Sequence, residues 1–231
     1  MNPSEQELFR VWDKDNTVYG PIGLSTLIQW IHEARVLPET FIQTESRKRW
    51  HRAADLAPLQ KHLASKQKRV PSLAHFDRLA AFDPDELRQF TCFSDLADEE
   101  LEQFAALGDC FEVVPGKLIV KEGDSGDAIY FVLSGALRVR LLVGIEKYEE
   151  VLCKVSDGEF FGEVGLFLQN VQPADVVAET DARLLRMSSN AFRLMVKQMP
   201  EVAAPILFAL AATMAGRMTA GNQQFAWETP A

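Results

Sequence analysis

Phe161-Gly162-Glu163-Val164-Gly165-Leu166 is the segment of this 231-residue chain whose residue types and order point most directly to chemistry. Glu163 opens a short helix-forming run, and a helix start presents N–H groups without intrahelical partners together with the positive end of the backbone dipole. Gly162 lets an anion approach the backbone, so the segment can cradle a small anionic group. The same glutamate has a second reading, because an acid at the start of any short helix stabilises the dipole. Catalysis has less to stand on. The four histidines, His32, His51, His62 and His75, lack metal-ligand spacing, no nucleophile stands with a paired acid and base, and neither a P-loop nor a dinucleotide fingerprint occurs. The chain is expected to be non-enzymatic, with no metal and no cofactor.

The elements that must hold this segment are legible in periodicity. From Cys110 the period is two: FEVV, KLIVKEG, AIYFVLSG, ALRVRLLV and EEVLCKV are rich in β-branched and aromatic residues. Turn residues separate them, at Pro115-Gly116, Gly123-Asp124, Ser125-Gly126-Asp127 and Ser134-Gly135, which predicts an antiparallel sandwich or barrel. Strand pattern continues over Asp175–Met187. Upstream, Leu87, Phe90, Leu96, Leu101, Phe104 and Leu107 recur near a period of 3.6 and predict two short helices, with Asp98, Glu99 and Glu100 at a helix start. Downstream, Asn190–Met199 and Pro200–Met218 read as helices, and TAGNQQFAWETPA as a frayed tail. No internal repeat occurs.

The N-terminus forms a separate small unit of about 55 residues, near the lower limit for independent folding. Leu8–Trp12 reads as a strand and Asp13-Lys14-Asp15-Asn16 as a turn. Ser25 stands where an N-cap would, ahead of Leu27, Ile28, Trp30 and Ile31 at helical spacing. Lys61, Lys66, Lys68 and Arg69 mark a linker or exposed helix. The expected domains are 1–58, a linker over 59–86, a main domain over 87–218 and a tail over 219–231.

Composition bounds the partners. The net charge of −9 disfavours nucleic acid and an anionic membrane surface, both of which reward clustered Lys and Arg. Cys92, Cys110 and Cys153, an odd number without CxxC spacing, suit reduced thiols in a cytosol. The first residues show no basic n-region or apolar h-region, so a cytoplasmic location is expected. Val202–Met214, interrupted by Pro205 and Thr213, is shorter than the roughly 20 residues of a membrane helix.

The run VPGKLIVKEGDSGDAIYFVLSGALRVR, with DGEFFGEVGLF after it, resembles the cyclic-nucleotide-binding domain of protein kinase A regulatory subunits and the bacterial catabolite activator protein. The likeness spans about Phe90 to Met218, with Gly116, Gly123, Gly126, Gly135, Gly158 and Gly162 at the turns. It implies an α+β chain whose main domain is an antiparallel β-barrel of double-stranded β-helix or jelly-roll type, flanked by helices. It also implies that Gly162, Glu163 and Val164 cradle a cyclic phosphate, with Glu163 accepting from the ribose 2′-hydroxyl.

The family follows this with P-R-A-A-T-V, where the Arg pairs with the phosphate. Counted from Phe161, the positions here are Val171-Gln172-Pro173-Ala174-Asp175-Val176, so Gln172 stands for the Arg and Asp175 for the hydroxyl. A charge-assisted hydrogen bond contributes roughly 1.5–3 kcal/mol, so the loss of the Arg weakens a phosphate ligand by about one to two orders of magnitude. A carboxylate about 5 Å from a phosphate adds a cost on the order of 3 kcal/mol at an effective dielectric near 20. Three readings stay open. The pocket of Gly162, Glu163, Val164, Gln172, Ala174 and Asp175 holds a nucleoside-like ligand; it holds a larger nucleotide such as a cyclic dinucleotide, with Arg138 and Arg140 as candidate basic groups on one strand face; or it is empty and the domain is a scaffold.

The N-terminal unit resembles the GYF domain, and more closely the divergent bacterial GYF-like domains, in the spacing of Tyr19-Gly20-Pro21-Ile22, Leu27, Trp30, Ala34-Arg35-Val36 and Trp50. The family binds proline-rich peptides on an aromatic surface, which the resemblance assigns to Trp12, Tyr19 and Trp30. Ile22 replaces a Phe and Ala34-Arg35-Val36 replaces Gly-Tyr-Phe, and core packing explains Trp30 and Trp50 equally well. In the last helix Val202, Ile206, Leu210, Met214 and Met218 lie four apart, which predicts a homodimer seam or intrachain packing. Together these features describe a bacterial signalling adaptor that senses a nucleotide-like ligand and docks a partner protein, or a ligand-independent interaction scaffold. A transcription factor of the catabolite-activator type is not expected, since its helix-turn-helix would follow the long helix.

Overall fold

The computed structural model describes residues 7–46, 48–63, 78–79, 82–94, 96–144, 146, 148–168 and 171–228, and the chain is α+β. The N-terminal unit has strands β1 (Leu8–Trp12), β2 (Val18–Gly23), β3 (Phe41–Thr44) and β4 (Trp50–Arg52) in the antiparallel order β2-β1-β3-β4. Helix α1 (Leu24–His32) follows β2, and α2 (Ala57–Leu63) closes the unit. The N-cap of α1 is Gly23, so Ser25, expected in that role, lies in the first turn. Leu59 and Leu63 of α2 are buried with Leu27, Ile31 and Ile42, so residues 59–63 of the expected linker belong to this unit. Lys66, Lys68 and Arg69 lie outside the described residues.

Strand alternation gives the N-terminal sheet two apolar faces. Phe9, Val11 and Ile42 point into its own core, while Trp12, Phe41 and Trp50 point away and join the helical core of the main domain. The two units therefore share a hydrophobic core.

The main domain contains two antiparallel sheets. One has the order β10-β9-β12-β7, from β7 (Leu118–Val120), β9 (Leu137–Val143), β10 (Tyr148–Val155) and β12 (Asp175–Ala178). The other has the order β11-β8-β13-β6-β5, from β5 (Arg78–Leu79), β6 (Asp109–Val113), β8 (Ala128–Ser134), β11 (Phe160–Phe161) and β13 (Ala182–Ser188). Phe111, Tyr130, Leu137, Phe161, Val176 and Leu184 meet in the core they share. The opposite face of the five-stranded sheet, with Ile129, Phe131 and Leu185, is covered by helices. These are two 3₁₀ turns at Pro84–Gln89 and Thr91–Phe93, α3 (Asp98–Leu107), α5 (Ser189–Gln198) and α6 (Pro200–Glu228). The main domain thus takes in residues upstream of 87, and the tail expected from Thr219 is helical as far as Glu228. Pro205 is accommodated one turn into α6, where it removes a single ladder bond. Pro200–Thr219 is long and apolar enough to cross a membrane by length and composition alone, beyond what the interrupted stretch Val202–Met214 predicted.

Candidate functional site

The Gly162–Glu163 segment lies between β11 and α4 (Glu163–Leu168). Gly162 has φ +85°, and a Cβ there would stand 2.7 Å from the Ala128 carbonyl oxygen and 3.2 Å from the Tyr130 ring. Packing alone therefore requires glycine, whatever the segment binds. Glu163 is buried, and its carboxylate accepts a hydrogen bond from Arg217 Nη1 at 2.9 Å. Arg217 reaches in from α6, donates also to the Phe160 carbonyl at 2.7 Å, and lies 4.9 Å over the Phe160 ring. The group expected to meet a ligand hydroxyl is thus held by the chain's own guanidinium. Sequence reasoning missed Arg217, although one signal was present: it is the only charged residue between Glu201 and Glu228.

Gln172 is buried, and its backbone is stapled to the turn before β8, donating to Asp124 O at 2.7 Å and accepting from Gly123 N at 3.0 Å. Its side-chain nitrogen lies 3.1 Å from where a Cβ on Gly165 would be, and that Cβ would stand 2.5 Å from Gly126 Cα. Helix α4, the Gly123–Gly126 turn and Gln172 therefore come together in backbone contact, with Ala174 buried beside them and Val164 half-buried.

Asp175 behaves differently from the expectation. Val176 and Ala178 of β12 point into the core, so alternation sends Asp175 and Val177 to the other face. There Asp175 accepts from Glu122 N at 2.8 Å and lies 3.5 Å from Arg140 Nε. The carboxylate is already matched, so the penalty it was expected to impose on a phosphate does not apply. Arg140 and Arg138 share that outer face and both donate to Glu149, at 2.5 and 2.6 Å. The Arg140 guanidinium, helped by Arg138, holds the Glu149 carboxyl below its ordinary pKa. These arginines are thus part of an ion cluster on the outer strand face, engaged by the chain's own acids.

The aromatic surface assigned to the N-terminal unit divides in two. Trp12 is 1% exposed, and its indole N–H donates to Asn190 Oδ1 at 2.9 Å, so it belongs to the junction and is closed to a peptide. Tyr19 and Trp30 are half-buried and meet edge to face, with ring centroids 6.4 Å apart. The Arg35 guanidinium lies 4.1 Å over Trp30, on the side where the resemblance lacks its tyrosine. The Tyr19 hydroxyl donates to Asp15 at 2.8 Å, which raises the phenol's pKa.

Comparison with known proteins agrees with this geometry. A cyclic nucleotide-binding domain from Methylobacillus flagellatus shares the fold, with a TM-score of 0.59 at 19% identity, covering 68% of this chain and 90% of its own. The cAMP-dependent protein kinase regulatory subunit of Colletotrichum orbiculare is 29% identical over 54% of this chain. The cyclic AMP receptor protein of Thermus thermophilus is 32% identical over 48% of it. The chain spans 31% and 51% of the length of those two relatives. Over residues 111–199, which hold most of β6 and run to the end of α5, the chain matches the family model of the cyclic nucleotide-binding domain.

Proposed function

We propose that this protein is a non-enzymatic cytoplasmic signalling adaptor in which a nucleotide-like ligand competes with Arg217 for Glu163. The observation that carries the reading is the bidentate hold of Arg217 on Glu163 and the Phe160 carbonyl. The Arg217 side chain is 40% exposed, and pairs of that exposure contribute at most about 1 kcal/mol, so a hydroxyl-bearing ligand can replace it. Val202, Ile206 and Leu210 of the expected seam pack within the chain, so a homodimer seam falls to the exposed residues of α6, with Phe208 79% and Met218 68% exposed, and displacement frees the distal part that carries Met218. The GYF-like unit supplies a partner-docking face at Tyr19 and Trp30, with Arg35 adding hydrogen-bond donors for a partner that carries a proline-rich segment. Ligand chemistry follows from Gln172: an amide in place of a cation favours a ligand that does not depend on one phosphate–arginine pair.

A second reading, a ligand-independent scaffold, is favoured by the Gly165–Gly126 contact, which leaves the backbone of α4 closed against the neighbouring turn. A thermal-shift screen with cAMP, cGMP, cyclic dinucleotides and nucleosides separates the two. Under the first reading one compound raises Tm by about 5–10 °C at a hundredfold excess over Kd, and Glu163→Ala abolishes the shift. The scaffold reading requires that no compound act at millimolar concentration.

A further inference from the structure

Between the two units lies a cavity of about 180 Å³ that neither the ligand segment nor the docking face uses. The N-terminal unit lines it with Glu39 and Arg52, and the main domain with Asp109, Asp127, Arg186 and the start of α5. Its charges are sorted by depth: Arg52, Asp109 and Arg186 are buried, the Asp127 side chain is half-exposed and Glu39 is exposed. Arg52 donates through its Nη atoms to the Asp109 carboxylate and, at 3.0 Å, to the Leu107 carbonyl. Arg186 donates through Nη2 to Asp127 at 3.0 Å, and its Nη1 lies 3.9 Å from Asp109. The Nε atom of each arginine is sealed from water and has no hydrogen-bond partner among the described residues. A buried donor of this kind calls for an acceptor. The start of α5 is an independent contributor: Ser188 caps this ten-residue helix, accepting from Ala191 N at 3.2 Å, and Ser188, Ser189 and Asn190 line the cavity. The positive end of the helix dipole therefore adds to the two guanidiniums.

We propose that this cavity is a ligand site separate from Glu163, built for a small α-amino acid bound as the zwitterion. At the buried end, two guanidiniums and a helix start face the single carboxylate of Asp109, an excess that favours an anionic head. A carboxylate suits it, because it brings two oxygens to the two unmatched Nε donors. At the open end stand Asp127 and Glu39, so the other group of the ligand is a cation, and an ammonium offers three donors. Counted together, the lining acids Glu39, Asp109 and Asp127 outnumber the arginines by one. A phosphate or a dicarboxylate would deepen that imbalance, whereas a zwitterion adds no net charge. Volume sets the size: at roughly 30 Å³ per water molecule the space is that of about six, which matches glycine, alanine or serine. Because Arg52 and Glu39 come from one unit and Asp127 and Arg186 from the other, the bound amino acid braces the junction.

Isothermal titration calorimetry on the full chain tests the site with glycine, L-alanine and L-serine. Propionate and ethylamine, which are alanine without its ammonium and without its carboxylate, serve beside them. At least one amino acid is expected to bind with a Kd of about 1 mM or below, and both analogues at least about tenfold more weakly. Asp127→Asn removes the half-exposed acid and is expected to weaken binding about tenfold. Ser189→Phe fills the cavity and is expected to abolish binding. The site is overturned if no amino acid binds at about 10 mM, or if propionate matches alanine. Wild-type affinity in Asp127→Asn also overturns it, whether or not Ser189→Phe folds. Nucleotide binding at Glu163 enters none of these outcomes.

Discussion

Two arginine–carboxylate contacts tie this molecule together, and they differ in what surrounds them. Arg52 and Asp109 at the junction have side chains 8% and 2% exposed, whereas Arg217 and Glu163 at the ligand segment are 40% and 10% exposed. A buried pair is costly to break, because the remaining partner loses a charge-assisted contact in a medium of low polarity. A half-exposed pair exchanges protein contacts for water at little net cost. The first contact therefore behaves as architecture and the second as a switch, although sequence alone presents both as an arginine and an acid far apart in the chain.

The largest expected effect breaks the architectural side. Arg52→Met should lower the unfolding free energy by about 3–5 kcal/mol, read from urea denaturation; a loss below about 1 kcal/mol would put both contacts in one class. The next effect sharpens the comparison through pH. Burial pushes the Cys92 thiol up to about 12, and Cys92 lines a cleft of about 200 Å³ beneath α6 with Phe90, Ala209, Thr213 and Arg217. A pKa raised by folding leaves the associated stability intact below the unfolded-state value near 9. That stability is then lost as pH rises toward 12, by on the order of 1.4 kcal/mol per unit. Alkaline titration of Tm checks the sign. The smallest effect tests the switch: Arg217→Ala should change stability by under about 1 kcal/mol yet speed thiol modification of Cys92 about fivefold by releasing α6. Exposed Cys153 should react first in both proteins.

The strands of the two sheets were legible because alternation and turn glycines are local signals, and the same signals marked the turn at Gly162 and the short helix that begins at Glu163. The misreading of Asp175 has a definite cause. Its meaning depends on strand parity: Val176 and Ala178 face the core, so Asp175, one residue before Val176, faces outward. Trp12 was misassigned for a related reason: both faces of its small sheet are apolar, and only the presence of the main domain tells that the face carrying Trp12 is covered. The partners of Arg52 and Arg217 lie 57 and 54 residues away, so no local pattern pairs them; the isolation of Arg217 in an apolar run marked the residue but not the acid it meets. The helical continuation past Thr219 follows from Ala and Gln, which favour helix once a long packed segment has nucleated it.

Helix α6 has one ionisable side chain in the 26 positions from Val202 to Trp227, and that side chain is Arg217. While Glu163 holds it, the rod is electrically silent along nearly its whole length. Release unmasks a single positive charge among alanines, methionines and a phenylalanine, on a protein whose net charge is −9. The state of the pocket is then written on the surface as a change of sign at one point, and a neighbouring surface with a carboxylate at the matching height can read it.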